Sequence, residues 1–118
     1  MSSIRERFRG QWRITETGTW DNDYLDMIEP AFIAFEPGGT GEFRFGVVVA
    51  SLDCSYSQTD VGFRFHGSDE GTEVWGDGWA EFDRPDAISG EIAFWNGDET
   101  TFKARRWPGS SCVWALRG

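Results

Sequence analysis

The chain of 118 residues has one histidine, two cysteines and no apolar run that approaches the roughly 20 residues of a membrane-spanning helix. The single histidine, His66, excludes any metal site that needs several histidines and any catalytic triad that does not include it. The first residues also lack the apolar segment of a secretory signal peptide. These absences predict a cytoplasmic protein that is not a membrane protein.

Cysteine is too scarce to hold the fold together. Cys54 and Cys112 have none of the close spacings that are typical of redox or zinc motifs. Because the cytoplasm keeps thiols reduced, we expect no structural disulfide. The core must therefore stabilise the chain, and a chain of this length buries roughly two thirds of its unfolded surface as one domain. We expect residues 1–118 to form that single domain.

Positive charge is scarce in the middle of the chain. The formal net charge is -9, and between residues 14 and 102 only three arginines oppose 19 acidic residues. Such a surface repels phosphate backbones and anionic lipids, so nucleic acid and membranes are poor candidate partners. A basic protein is the partner that this charge favours, although an acidic surface can also serve only to keep a protein soluble.

Short runs of alternating apolar and polar residues are abundant, and turn residues separate them. We predict eight strands, at residues 10–17, 31–36, 42–50, 51–57, 61–67, 73–82, 87–95 and 100–107. Their number and spacing are typical of an antiparallel barrel or a two-sheet sandwich. The prediction is an all-β fold, an eight-stranded up-and-down barrel first and the sandwich as the alternative.

One segment has the signals of a short helix. Residues 21–29 begin with Asp21 and Asn22, either of which can cap a helix N-terminus, and end before Pro30. Its carboxylates could instead hold a metal ion, but the spacing lacks the later ligands that a calcium-binding EF-hand loop needs. We therefore expect one capped helix between the first two strands, and neither a metal nor a cofactor.

The motif Gly-x-Trp at Gly10 and Trp12, together with "KARRW" near the end of the chain, resembles the calycin group of small β-barrels. That group includes lipocalins, fatty-acid-binding proteins and avidins. The resemblance implies that Arg105 or Arg106 on the last strand crosses over Trp12. First and last strands are neighbours in a closed barrel, and a guanidinium over an indole contributes about 1 kcal/mol.

A larger set of motifs is similar to a family of short bacterial proteins of unassigned function. The motifs are "GQWRI", "WDND", "GTGEFRFG", "GDGWA" and "GDETTFKAR". They extend over nearly all of residues 8–107, and the resemblance implies one closed barrel there without implying an activity. Residues 108–118 follow as an apolar tail, which we expect to pack on the domain or on a second copy.

Tryptophan beside acidic residues is the most distinctive local pattern. Alternation in strand 73–82 puts two tryptophans and an aspartate on one face, and we favour an outward face because unpaired acids are costly to bury. Exposed tryptophans among acids fit an interface for a basic partner, whereas tryptophans half-buried under the helix or tail are the alternative. The candidate binding residues are Trp20, Asp21, Asp23, Tyr24, Trp75, Asp77 and Trp79.

The function predicted from these features is that of a non-catalytic binding or accessory protein with an acidic, tryptophan-bearing surface. The alternative is a carrier of a small apolar ligand in the barrel mouth, although bulky inward residues nearly fill such a barrel. An enzyme is less favoured, because abundant carboxylates define no specific pair and no catalytic residue can be named. The apolar tail and the tryptophans of strand 73–82 are compatible with a homodimer.

Overall fold

Alternating burial runs along the strands of this protein, as the wall of a filled barrel requires. In the computed structural model, which describes residues 3–107, every second residue from Val48 to Cys54 is buried and those between are exposed. The inward side chains of all strands join in one core, whose largest fully buried members include Trp12, Phe8, Phe35, Phe43, Phe45 and Phe102.

Eight antiparallel strands pair in chain order, and the last strand pairs with the first to close the barrel. Two short helices, α1 (Ile4–Phe8) and α2 (Asn22–Leu25), precede β1 and β2 respectively. The predicted up-and-down barrel is confirmed over the two-sheet sandwich. The strands are β1 (Gly10–Thr17), β2 (Phe32–Glu36), β3 (Thr40–Phe45), β4 (Val48–Tyr56), β5 (Asp60–Asp69), β6 (Thr72–Arg84), β7 (Ala87–Phe94) and β8 (Glu99–Arg106).

A two-residue turn divides the third of the predicted strands. The sequence prediction placed one strand at 42–50 and the next at 51–57, whereas β3 ends at Phe45 and β4 begins at Val48. Gly46 has a φ of 56°, which suits the tight reversal and which the alternation of side chains does not signal. The predicted strand 42–50 placed Val47 inward with Phe43 and Phe45, whereas Val47 lies in the turn and is half-buried.

The helix between β1 and β2 is one turn long, so the predicted extent of 21–29 is wrong. Asp21 does cap it, because its Oδ1 accepts the backbone N–H of Tyr24 at 2.9 Å. Beyond the helix, Asp26 accepts two bonds of 2.8 Å from the Arg13 guanidinium and a third of 3.0 Å from the N–H of Ala31. The bond with Arg13 is the main cause that lowers the pKa of Asp26, and these contacts tie the connection to β1 and β2 instead of extending the helix.

Helix α1 was not predicted from the sequence. Ser3 Oγ accepts the N–H of Glu6 at 3.2 Å, so the pattern Ser-x-x-Glu at the start of the chain is the signal that indicates this helix. Phe8 in its last turn is fully buried, with its ring centroid 5.3 Å from that of Phe35 and 4.5 Å from that of Phe82. The helix therefore closes one end of the barrel.

The guanidinium of Arg106 lies over the indole of Trp12, with 4.0 Å from its carbon to the ring centroid. Its two terminal nitrogens donate to the backbone oxygens of Arg7 and Arg9 at 2.7 Å each, and Trp12 Nε1 donates to the oxygen of Phe8 at 2.8 Å. Desolvation lowers the pKa of Arg106. Of the two arginines that the resemblance offered, Arg106 thus joins the first strand, the last strand and α1, whereas Arg105 is exposed.

Residues 108–118 lie outside the described residues, so the expected packing of the tail stays a prediction and Cys112 is not placed. Cys54 is buried in the barrel wall, and burial raises the pKa of its thiol to about 11. Within residues 3–107, no helix is long and apolar enough to cross a membrane.

Candidate functional site

Trp20 and Tyr24 close the end of the barrel opposite α1. Their rings stack with centroids 5.9 Å apart, and the Trp20 ring also contacts the inward rings of Phe45 at 5.1 Å and Phe94 at 6.2 Å. Desolvation raises the pKa of the half-buried Tyr24 phenol. Both aromatics thus help to cover the core, and their role in binding stays a prediction.

The acids around these aromatics do not form a cluster that suits a metal. Asp21 is engaged as the cap of α2, Asp23 is exposed in its first turn, and Asp26 is held by Arg13. Among residues 3–107, no group of three or more potential metal-binding side chains occurs. The geometry therefore assigns Asp21 and Asp26 to the local fold and leaves Asp23 in solvent.

Strand β6 presents acids and tryptophans alternately to solvent. Trp75 keeps 44% and Trp79 keeps 38% of its surface exposed, so the face that contains them points outward. Asp77 lies between them and is exposed as well. The outward residues of this strand are, in order, Glu73, Trp75, Asp77, Trp79 and Glu81.

The interior explains why this face is the outward one. Gly76 and Gly78 occupy the inward positions between the tryptophans, directly opposite Phe65 and Phe63 of β5. A Cβ on Gly78 would lie 2.7 Å from the ring of Phe63, and one on Gly76 would lie 2.9 Å from that of Phe65. The two phenylalanines and the backbone of β7 fill the space beside Gly76 and Gly78, so these two inward positions have no room for a larger side chain.

Trp95 belongs to the same surface, although it was not among the candidate residues from the sequence. Its ring stacks on that of Trp75 with centroids 4.6 Å apart and planes at 8°, and 56% of its surface is exposed. Its position directly after the inward Phe94 is a signal that predicts an outward side chain. We use the name tryptophan face for Trp75, Trp79 and Trp95 with the neighbouring acids Glu73, Asp77, Glu81 and Glu91.

A groove of about 330 Å³ borders this face beside Trp79 and crosses the outer surface of β7, β8 and β1. Trp79 is the direct cross-strand partner of Glu91, and Glu91 in turn is the partner of Thr101. The N–H of Gly18 donates to the oxygen of Thr101 at 3.0 Å, so the end of β1 lies next to these cross-strand partners. Barrel closure thereby places Glu16 and Lys103, which also line the groove, beside residues of the tryptophan face.

The carboxylates of the tryptophan face are free of close ion pairs within residues 3–107. The pairs closer than 4.0 Å in that part of the chain join Arg13 to Asp26, and Arg44 to Glu29 and Glu42. These pairs lie on β1, β3 and the connection to β2. Arg64 of β5 is the cross-strand partner of Asp77, but it forms no ion pair with it closer than 4.0 Å. The tryptophan face therefore combines exposed indoles with carboxylates that are not held in close ion pairs within residues 3–107.

No family model, curated protein or solved structure matches this chain.

Aromatic rings occupy the barrel interior. The ring of Phe65 lies 5.0 Å from that of Phe43 and 5.2 Å from that of Phe94, and Phe43 stacks on Phe45 at 5.4 Å. Four grooves of about 210 to 410 Å³ are lined mainly by outward-facing residues or turns. The geometry thus favours the outer surface over the interior as the place where another molecule binds.

Proposed function

We propose that this protein is a non-catalytic binding protein whose tryptophan face docks a basic region of another protein. The observation that carries the proposal is the exposure of three indoles, at 44%, 38% and 56% for Trp75, Trp79 and Trp95, beside carboxylates that form no ion pair closer than 4.0 Å within residues 3–107. Tryptophan is enriched among the residues that dominate binding energy at interfaces, and it is rarely left exposed in groups without a function.

The physical properties of the face suit a protein partner. The stack of Trp75 on Trp95 holds both rings in place, so a partner that covers them restricts few additional rotamers. A fully buried aromatic side chain covers about 150 to 250 Å², and 38% to 56% of the surface of each of these tryptophans is still free to be buried. The surrounding carboxylates favour a positively charged partner, because complementary charge speeds encounter and disfavours acidic competitors.

The same properties rank the alternatives. Carriage of a small apolar ligand has less support, because aromatic side chains occupy the interior. A homodimer through the tryptophan face would bring two acidic surfaces together, and the net charge of -9 opposes that association. The proposal includes a cytoplasmic location and membership in the family of short bacterial barrels, on the strength of the motifs "GQWRI" and "GTGEFRFG" and of a closed barrel that is consistent with a calycin-like fold.

Affinity capture from a bacterial extract tests this proposal. We expect the immobilised protein to retain a basic partner, and we expect the double variant Trp75→Ser/Trp95→Ser to retain at least tenfold less of it. The matched control is Met27→Ser/Ile28→Ser, which removes two exposed apolar side chains elsewhere on the surface and should retain the partner fully. Salt of about 0.5 M should release the partner by screening.

Two outcomes would count against the proposal. One is equal retention of the same proteins by both double variants, which would mean that the tryptophans contribute no specific contact. The other is a partner that high salt fails to weaken, which would exclude recognition through the carboxylates. Circular dichroism of each variant establishes that the barrel is intact before capture is compared.

A further inference from the structure

We infer that the groove beside Trp79 binds an arginine side chain of the docking partner. This inference rests on the proposed function and adds which type of side chain on the partner the groove recognises. The groove measures about 330 Å³, close to the lower bound of about 300 Å³ for small-molecule sites, and it lies open on the outer surface. Its size therefore suits one long side chain of the partner, not a whole folded element.

The wall of the groove has the chemistry that a guanidinium needs. Trp79 offers an indole face, and its direct cross-strand partner Glu91 offers a carboxylate on the neighbouring strand. A guanidinium is planar, so it can stack on an indole while its N–H groups, which point outward in its own plane, donate to a carboxylate beside the indole. Glu16, from the end of β1, adds a second negative charge to the lining. An ammonium is not planar, so it cannot stack on the indole and donate to the carboxylate in the same way.

Among the described residues, Lys103 is the one base that lines the groove, and it gives the inference a second test. It pairs in register with Glu16 on β1 and with Ser89 on β7, yet within residues 3–107 it makes no ion pair closer than 4.0 Å. An ammonium at this position repels an incoming cation. Removal of Lys103 should therefore strengthen arginine binding, whereas removal of the Glu91 charge should weaken it.

Titration of ¹⁵N-labelled protein with N-acetyl-arginine amide tests the inference. We expect the indole N–H of Trp79 and the amide of Gly18 to shift together and to saturate. Glu91→Gln should weaken binding about threefold to tenfold, and Lys103→Gln should strengthen it about threefold. The matched controls are Glu36→Gln and Arg84→Gln, which make the same charge changes at exposed positions outside the groove and should alter affinity less than about twofold.

Two analogues of the probe separate the contribution of its charge from that of its planar group. N-acetyl-citrulline amide keeps the planar group without the charge, and N-acetyl-lysine amide keeps the charge without the plane, so both should bind more weakly than the arginine amide. Equal binding of all three amides, or equal effects of Glu91→Gln and Glu36→Gln, would overturn the inference. If the arginine amide leaves Trp79 unshifted while partner capture still depends on Trp75 and Trp95, the inference fails and the proposed function stands.

The reverse result is equally informative. Specific binding of arginine amide in the groove, with no partner that depends on the tryptophans, would support the groove and contradict the docking function.

Discussion

Replacing Trp12 with alanine is expected to lower the free energy of unfolding by about 3 to 5 kcal/mol. The side chain is fully buried at the closure of the barrel, and its removal leaves a large cavity. The substitution also leaves the oxygen of Phe8 without its indole donor and Arg106 without the ring that it covers. Chemical denaturation, followed by circular dichroism, measures the loss.

Two controls show whether the loss arises at the closure. Trp95→Ala removes the same side chain from an exposed position and should cost about 1 kcal/mol or less. Arg106→Gln should cost about 2 kcal/mol, because it removes the cation over Trp12 and the hydrogen bonds to the backbone oxygens of Arg7 and Arg9. Arg105→Gln on the outer face should change stability little. Equal effects of the two arginine substitutions would contradict this description of the closure.

Replacing Gly46 with alanine is expected to lower the free energy of unfolding by about 3 kcal/mol. Gly46 has a φ of 56°, which costs other residues about 1 to 2 kcal/mol. A Cβ there would also overlap the ring of Tyr24, which stacks on Trp20 over the end of the barrel. The substitution should therefore displace Tyr24 as well as strain the turn.

Gly71→Ala is the matched control for this prediction. Gly71 has a φ of 86° in the turn between β5 and β6, and an added Cβ there would meet no atom within 4 Å. Its substitution should cost about 1 kcal/mol from the backbone alone. If denaturation gives the same loss for both variants, the contact between Gly46 and Tyr24 does not stabilise the protein.

Much of the barrel could be predicted because alternation of side chains is a local property. In β5 and β7 the inward phenylalanines and isoleucines alternate with polar residues, and the ends of these two strands lie within two residues of the predicted bounds. The alternation of apolar residues continues from Phe43 through Val47, so the sequence pattern does not indicate the turn at Gly46. Its position is fixed by the backbone conformation of Gly46 and by the hydrogen bond from its N–H to the oxygen of Leu25.

The two helices show the limits of local signals in different ways. The capping pattern of Ser3 and Glu6 was present in the sequence, but five residues are too few to give a helical periodicity. In the other case the periodicity of residues 21–29 indicated a longer helix than α2. The helix ends at Leu25, and beyond it the side chain of Asp26 binds Arg13 on β1 and the N–H of Ala31, contacts between distant residues that no local pattern indicates.

The candidate site was predictable only in the part that lies on one strand. Alternation placed Trp75, Asp77 and Trp79 on a common face of β6, and the cost of burying acids favoured the outward direction. The groove beside Trp79 depends instead on the closure of the barrel, which brings Glu16 of β1 and Lys103 of β8 near β7. Side chains so distant in the sequence share a site only because the register of four strands aligns them.

Tryptophans at distinct places make fluorine NMR the most direct measurement of where a partner binds. The chain has seven tryptophans, so protein labelled with 5-fluorotryptophan gives signals that substitution to phenylalanine can assign. On addition of the captured basic partner, the signals of Trp75, Trp79 and Trp95 should shift, whereas those of Trp12 and Trp20, which pack on the core, should not. A shift of the Trp20 signal, with the tryptophan face unchanged, would contradict the account and place binding at the end of the barrel.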